Sequence, residues 1–125
     1  SIINVDLEEM PDIRCSADLI GWVFENLIKN SLDAISEGEG RIEITGRVNR
    51  RNNRIEVTVS DTGRGIPAAL RKRIFAPGVT TKRRGWGLGL ALVKRIVEEI
   101  HDGSITLADS ELGRGTTFIL KFPID

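Results

Sequence analysis

Ile55-Glu56-Val57-Thr58-Val59-Ser60-Asp61-Thr62-Gly63-Arg64-Gly65-Ile66-Pro67 reads as a β-strand that ends on a carboxylate and runs into a glycine loop. Ile55, Val57 and Val59 alternate with Glu56, Thr58 and Ser60, the period-two pattern of a strand with one buried face. Asp61 has the parity of the apolar set and points to the buried side if the strand continues that far. A carboxylate aimed at a core is costly unless something donates hydrogen bonds to it. Two readings account for it. Asp61 caps the turn into the next helix, or it accepts from a ligand held where Gly63 and Gly65 carry no side chain. An exocyclic amine, such as N6 of adenine, is a donor of that kind.

Upstream of this run, Ile42, Ile44 and Val48 alternate with Glu43, Thr45 and Arg47, and the polar stretch Asn49 to Asn53 joins the two strands as a hairpin. Before them lies a helical pattern from an N-cap at Ser16 through Ala17 to about Glu37, with Ile20, Val23, Phe24, Leu27, Ser31, Ala34 and Ile35 on the core side. Ile2 to Leu7 is expected as a strand and Asp12 to Arg14 as a short extended piece. Downstream, Pro67 suits the first position of a short helix to about Arg73. A loop from Phe75 to Gly87 leads to a stronger helix, Leu88 to His101, with Leu92, Val93, Ile96, Val97 and Ile100 expected inward. Asp102-Gly103 ends it, and strands Ser104 to Ala108 and Gly115 to Phe122 follow around the turn Ser110 to Arg114. This order implies an α/β (α+β) two-layer sandwich in which a mixed, mostly antiparallel sheet carries its helices on one face.

The 125 residues, 40% of them hydrophobic, suit one domain with a single core. Lys plus Arg number 18 and Asp plus Glu number 18, so net charge gives no reason to expect nucleic acid or an anionic membrane as a partner. Cys15 is the only cysteine, which leaves no internal disulfide and fits a reducing compartment; it is expected as a small buried apolar residue. No apolar run reaches membrane-spanning length and the first residues lack signal-peptide character, so the chain reads as cytoplasmic, with any membrane anchor of the whole protein elsewhere.

Three places gather side chains with chemistry. On the first helix Asn26, Asn30 and Asp33, at i, i+4 and i+7, form one narrow stripe beside the apolar face. The stripe is either a solvated face or the wall of a groove, where an amide oxygen is available to a hard cation such as Mg²⁺. On the last strand Thr116 shares parity with Phe118, Leu120 and Phe122 and faces inward at the strand's start, and Thr117 faces the other way toward solvent. Lys82, Arg83 and Arg84 precede Gly85-Trp86-Gly87-Leu88-Gly89-Leu90 at the entrance to the second long helix. Bare amides, a helix N-terminus and neighbouring cations make an anion site, though a flexible solvated loop has the same composition. Its G-x-G-x-G spacing is neither the dinucleotide nor the Walker A pattern.

Taken in order, these pieces resemble the ATPase and kinase superfamily that joins gyrase, heat-shock chaperone, mismatch-repair and histidine-kinase ATP sites, the Bergerat fold. Glu25-Asn26-Leu27-Ile28-Lys29-Asn30-Ser31 is similar to its N box, and Asp61-Thr62-Gly63-Arg64-Gly65 to its G1 box. Arg73-Ile74-Phe75-Ala76-Pro77 is similar to the F box, Thr80-Thr81-Lys82 through Leu90 to the lid and G2 box, and Gly113-Arg114-Gly115-Thr116-Thr117-Phe118 to the G3 box. The resemblance implies ATP and ADP as ligands. It implies Asn30 as the Mg²⁺ ligand, with Asp33 beside it. Asp61 and Thr116 are implied at the adenine, with Gly63, Gly65 and Ile66 around it. Lys82 and the stretch Gly85, Trp86, Gly87, Leu88, Gly89 and Leu90 are implied at the phosphates. Trp86 departs from the small or hydroxylated residue usual there.

Hydrolases of the superfamily carry a glutamate base where this chain has Asn26, and an amide cannot accept that proton. Glu25, one residue away, is rotated by about 100° around the helix. The resemblance therefore implies the sensor histidine kinase branch: phosphoryl transfer to a histidine with Asn26, Asn30 and Lys82 as the catalytic set, and positioning rather than a strong base. A hydrolytic ATPase and an anti-sigma-type serine kinase are the alternatives. His101 is the sole histidine, read as local structure rather than as the acceptor. The acceptor is expected on a helical dimerisation domain preceding Ser1, with a response regulator next in line, Phe75 as a candidate contact, and this domain alone a monomer.

Overall fold

The computed structural model describes residues 2–9, 11–35, 39–77 and 89–124. Among these residues five strands, β1 (Ile2–Leu7), β2 (Arg41–Asn49), β3 (Arg54–Asp61), β4 (Ser104–Glu111) and β5 (Gly115–Pro123), form one sheet in the order β1-β2-β3-β5-β4. β1 runs parallel to β2 and every other pair is antiparallel. The mixed, mostly antiparallel sheet is thus as expected, and the parallel pair follows from the long connection through helix α1 (Ala17–Ile35).

Alternation decides the core. Ile42 and Ile44 of β2, Ile55, Val57 and Val59 of β3, and Phe118, Leu120 and Phe122 of β5 are buried on one sheet face. Val23, Leu27 and Ile35 of α1 close over them with Val93, Ile96 and Val97 from the second helix. At ~25 cal/mol per Å² of apolar surface, this common layer is the main source of stability. β1 contributes little to it, since all six of its residues are exposed, and an exposed Arg47–Asp6 ion pair at 3.0 Å adds little to its hold on β2.

Ser16 caps α1 as its residue type suggests: its Oγ accepts from Leu19 N–H at 3.4 Å, and its carbonyl accepts from Ile20 N–H at 2.9 Å. Its own N–H donates to His101 Nε2 at 3.0 Å, and His101 Nδ1 lies 2.9 Å from Ile96 O, so the ring is a neutral tautomer protonated on Nδ1. His101, 7% exposed, is a clasp between the start of α1 and the end of the second helix, in keeping with the local role read from the sequence.

Several expectations are corrected. Asp12 to Arg14 joins no strand. Pro67 precedes a 3₁₀ helix, Ala68–Arg73, as its cap rather than as its first residue. The second helix is α2 (Gly89–Arg95) continued by a π turn, Ile96–Ile100. That widened turn moves the end of the inward stripe from Ile100, 55% exposed, to His101, whereas Leu92, 43% exposed, lies before it and about 100° around the helix from Val93. Cys15 is exposed, because it lies in the segment outside the Ser16 cap rather than under the helix. Among the described residues no helix is long and apolar enough to cross a membrane.

Candidate functional site

Asp61 is the last residue of β3 and is 7% exposed, facing the helix side as its parity indicates. Its Oδ1 accepts from Gly63 N–H at 2.9 Å, so the side chain also shapes the turn, and the capping and ligand readings are compatible. Directly across on β5 is Thr116, 6% exposed and on the same face. This is a cross-strand pair of one carboxylate and one hydroxyl, ~5 Å apart at Cβ. Thr117, on the other face, is half-buried rather than solvated, because its hydroxyl pairs with Ser60 Oγ at 2.9 Å.

The two glycine loops beside this pair lock onto each other. Gly65 has φ +78° and a Cβ there would lie 2.3 Å from Glu111 O. Gly113 N–H donates to Arg64 O at 2.9 Å, and Ile66 N–H donates to Ser110 Oγ at 2.8 Å. Gly115 lies so close to β3 that a Cβ would stand 1.9 Å from Asp61 O. Gly63 packs on the end of α1, where a Cβ would meet Ala34 Cβ at 2.7 Å, and Arg64 N–H donates to Ala34 O at 2.9 Å. Close approach requires glycine at 63, 65 and 115, and the positive φ at 65 and 115 adds to that requirement.

On α1, Asn30 Nδ2 donates to Asn26 Oδ1 at 3.3 Å, both residues being half-buried, and Asp33 is exposed one turn further on. The donation turns the Nδ2 corner of the Asn30 amide toward Asn26 and its oxygen away from it. The start of α2 abuts the same stripe, since a Cβ on Gly89 would lie 2.9 Å from Asn26 Oδ1. The structure thus brings Asp61, Gly63, Gly65, Ile66 and Thr116 together at one end of the sheet, and Asn26, Asn30 and Gly89 at the junction of the helices. Leu90 is partly buried against the core. Lys82, Gly85, Trp86, Gly87 and Leu88 lie outside the described residues. A model of the histidine kinase-, DNA gyrase B- and HSP90-like ATPases matches residues 15–125.

The chain belongs to this ATPase family. Its histidine-kinase branch is the one its relatives occupy. Sensor histidine kinase ZraS of Escherichia coli is 38% identical over 94% of this chain, which covers 24% of that protein. The catalytic domain of histidine kinase ThkA is 31% identical with a TM-score of 0.83, over 98% of this chain and 78% of that one. ThkA in complex with the response regulator protein TrrA matches with a TM-score of 0.76 at 31% identity, over 99% of this chain and 34% of that one. Full-length ShkA in complex with AMPPNP matches at 0.80 and 27% identity, over 97% of this chain and 25% of that one. The chain is a histidine kinase ATP-binding catalytic domain, and it spans 24% and 33% of the first two curated relatives.

One residue beside the Asp61–Thr116 pair escaped the sequence reading. Ser110, 5% exposed, bonds Ile66 N–H and lies 3.0 Å from Thr116 Oγ1. β4 was expected to stop at Ala108, but it continues to Glu111 through a register shift between Leu107 and Asp109. That bulge reverses the parity of everything beyond it. Ser110 therefore faces inward, where unbroken alternation from Ile105 and Leu107 would turn it out.

Proposed function

We propose that this domain binds Mg–ATP between the loop after Asp61 and the helix junction, and passes the γ-phosphoryl group to a histidine on a separate dimerisation domain, from which a response regulator takes it. The observation that carries the reading is the buried Asp61–Thr116 pair at the sheet end, walled by glycines that admit no side chain. Asp61 accepts from the adenine amine, Thr116 completes the base contact, and Gly63, Gly65 and Ile66 line it. Lys82 and the amides of Gly85, Trp86, Gly87, Leu88, Gly89 and Leu90 hold the phosphates. The AMPPNP bound to ShkA and the TrrA bound to ThkA are the corresponding ligand and partner in relatives.

Asn30 fits a Mg²⁺ ion carried on the phosphates. It offers one neutral oxygen, Asp33 lies one turn further along the stripe, and among the described residues no three His, Cys, Asp or Glu side chains converge as an all-protein cage would require. Such an ion would supply charge neutralisation to the phosphates of the nucleotide. Asn26, engaged as acceptor by Asn30, is no base for water, so an imidazole nitrogen with its own lone pair is the suitable nucleophile. The test mixes this domain, Mg–ATP labelled at the γ position and a histidine-containing helical domain. Acid-labile label on the histidine, lost with Asp61→Asn, is the expected result; label released as free phosphate at the same rate without the acceptor contradicts the proposal.

A further inference from the structure

We infer that Ser110 is a positioning residue for nucleotide choice: it fixes the direction of the Thr116 hydroxyl and so makes the pocket accept adenine and reject 6-oxopurines. The inference rests on the adenine reading of Asp61 and Thr116 above. A serine hydroxyl owns one proton and two lone pairs. One lone pair of Ser110 is taken by Ile66 N–H at 2.8 Å. Its proton has two acceptors in reach, Thr116 Oγ1 at 3.0 Å and Gly115 O at 3.4 Å. Hydroxyl bonds weaken beyond ~3.0 Å, so donation goes to Thr116. Thr116 then accepts on the Ser110 side, and its own proton is left for the pocket.

The pocket consequently shows a fixed acceptor, the Asp61 carboxylate, beside a fixed donor, the Thr116 hydroxyl, on neighbouring strands and one face. Adenine presents the complementary pair along one edge, the N6 amine donating and N1 accepting. Hypoxanthine and guanine present O6 accepting and N1–H donating, the reverse order in the same seat. Ile66 N–H, part of the loop that follows Asp61, holds Ser110 in turn, so loop, β4 and β5 set the polarity together. Without Ser110 the Thr116 hydroxyl rotates to suit either edge.

The experiment is a calorimetric titration of the domain with Mg–ADP and Mg–IDP, which differ only at this edge of the base. The wild type binds ADP more tightly. Ser110→Ala lowers the ADP-over-IDP preference by roughly two- to tenfold, the range of one neutral hydrogen bond. In a Thr116→Val background the same substitution leaves the preference unchanged. A merely structural Ser110 predicts that both dissociation constants rise by one common factor, and that result overturns the inference. If circular dichroism shows Ser110→Ala unfolded, Ser110→Cys, of similar shape and a weak donor, takes its place: a reduced preference supports the inference and an unchanged one overturns it. Absence of ADP binding by the wild type overturns the adenine reading itself and the Ser110 role with it, and is distinguishable from an unchanged ratio.

Discussion

Gly115→Ala should be among the most damaging single-methyl changes in this domain, and the contrast with Gly113→Ala shows why. Gly115 opens β5 with φ +138°, and an added Cβ would lie 1.9 Å from Asp61 O and 2.9 Å from Asp61 C. Real Cβ contacts essentially never fall under 3.0 Å, so β3 and β5 must part by about 1 Å where Asp61 faces Thr116. The backbone strain is worth about 1–3 kcal/mol. Overpacking against a fixed main chain adds about 1–3 kcal/mol. Together they remove a large share of the ~5–15 kcal/mol that holds a domain folded. With a urea m-value of about 1–3 kcal/mol/M, the midpoint should fall by roughly 1–3 M. Gly113 has φ +82° with nothing within 4 Å of its added Cβ, so it carries only the strain and should shift by about half as much. Urea titrations followed by circular dichroism make the comparison. Equal midpoints for the two variants would refute the argument that close approach, in addition to φ, requires glycine at 115.

Asp61→Asn keeps the shape but loses an ionised acceptor, so it should fold with little change in melting temperature and bind an ATP analogue ~10- to 100-fold more weakly by calorimetry. His101→Ala removes an acceptor for Ser16 N–H and a donor to Ile96 O, and should cost about 2–4 kcal/mol in a denaturant titration; below its melting temperature it should still support phosphotransfer to an added histidine domain, whereas loss of transfer by folded protein would make the residue more than a clasp. Leu27→Ala, at 1% exposure under the sheet, should lower stability by about 2–5 kcal/mol without altering the ratio of ADP to IDP affinities.

Strands with strict alternation were readable from residues alone, and so was the inward turn of Asp61 and Thr116, because β3 and β5 keep unbroken parity to those positions. The Asn26–Asn30 pairing likewise follows from i, i+4 spacing on a long helix. What escaped has local causes. The bulge after Leu107 carries no distinguishing side chain, and it alone turns Ser110 inward; two hydroxyls, at 110 and 116, flanking a glycine turn were the available signal. The π turn after Arg95 shifts the buried stripe by an amount no 3.6-residue period contains, so Ile100 falls outside it, and Leu92 lies at the edge of the stripe, about 100° around the helix from Val93. Cys15 was misjudged from residue type, since only the cap at Ser16 shows where the helix stops shielding the chain. Phe75, read both as core and as a contact for another domain, packs on the core with its ring 6.1 Å from Phe118 and under Lys94 Nζ at 5.2 Å.

The central claim is that the Asp61–Thr116 pair seats adenine, and its most direct test is calorimetry of the domain with a non-hydrolysable ATP analogue and Mg²⁺, wild type beside Asp61→Asn. Saturable one-to-one binding by the wild type, sharply weakened in the equally folded variant, is what the account predicts. No heat of binding from the wild type at millimolar analogue, or equal affinities for the two proteins, would contradict it.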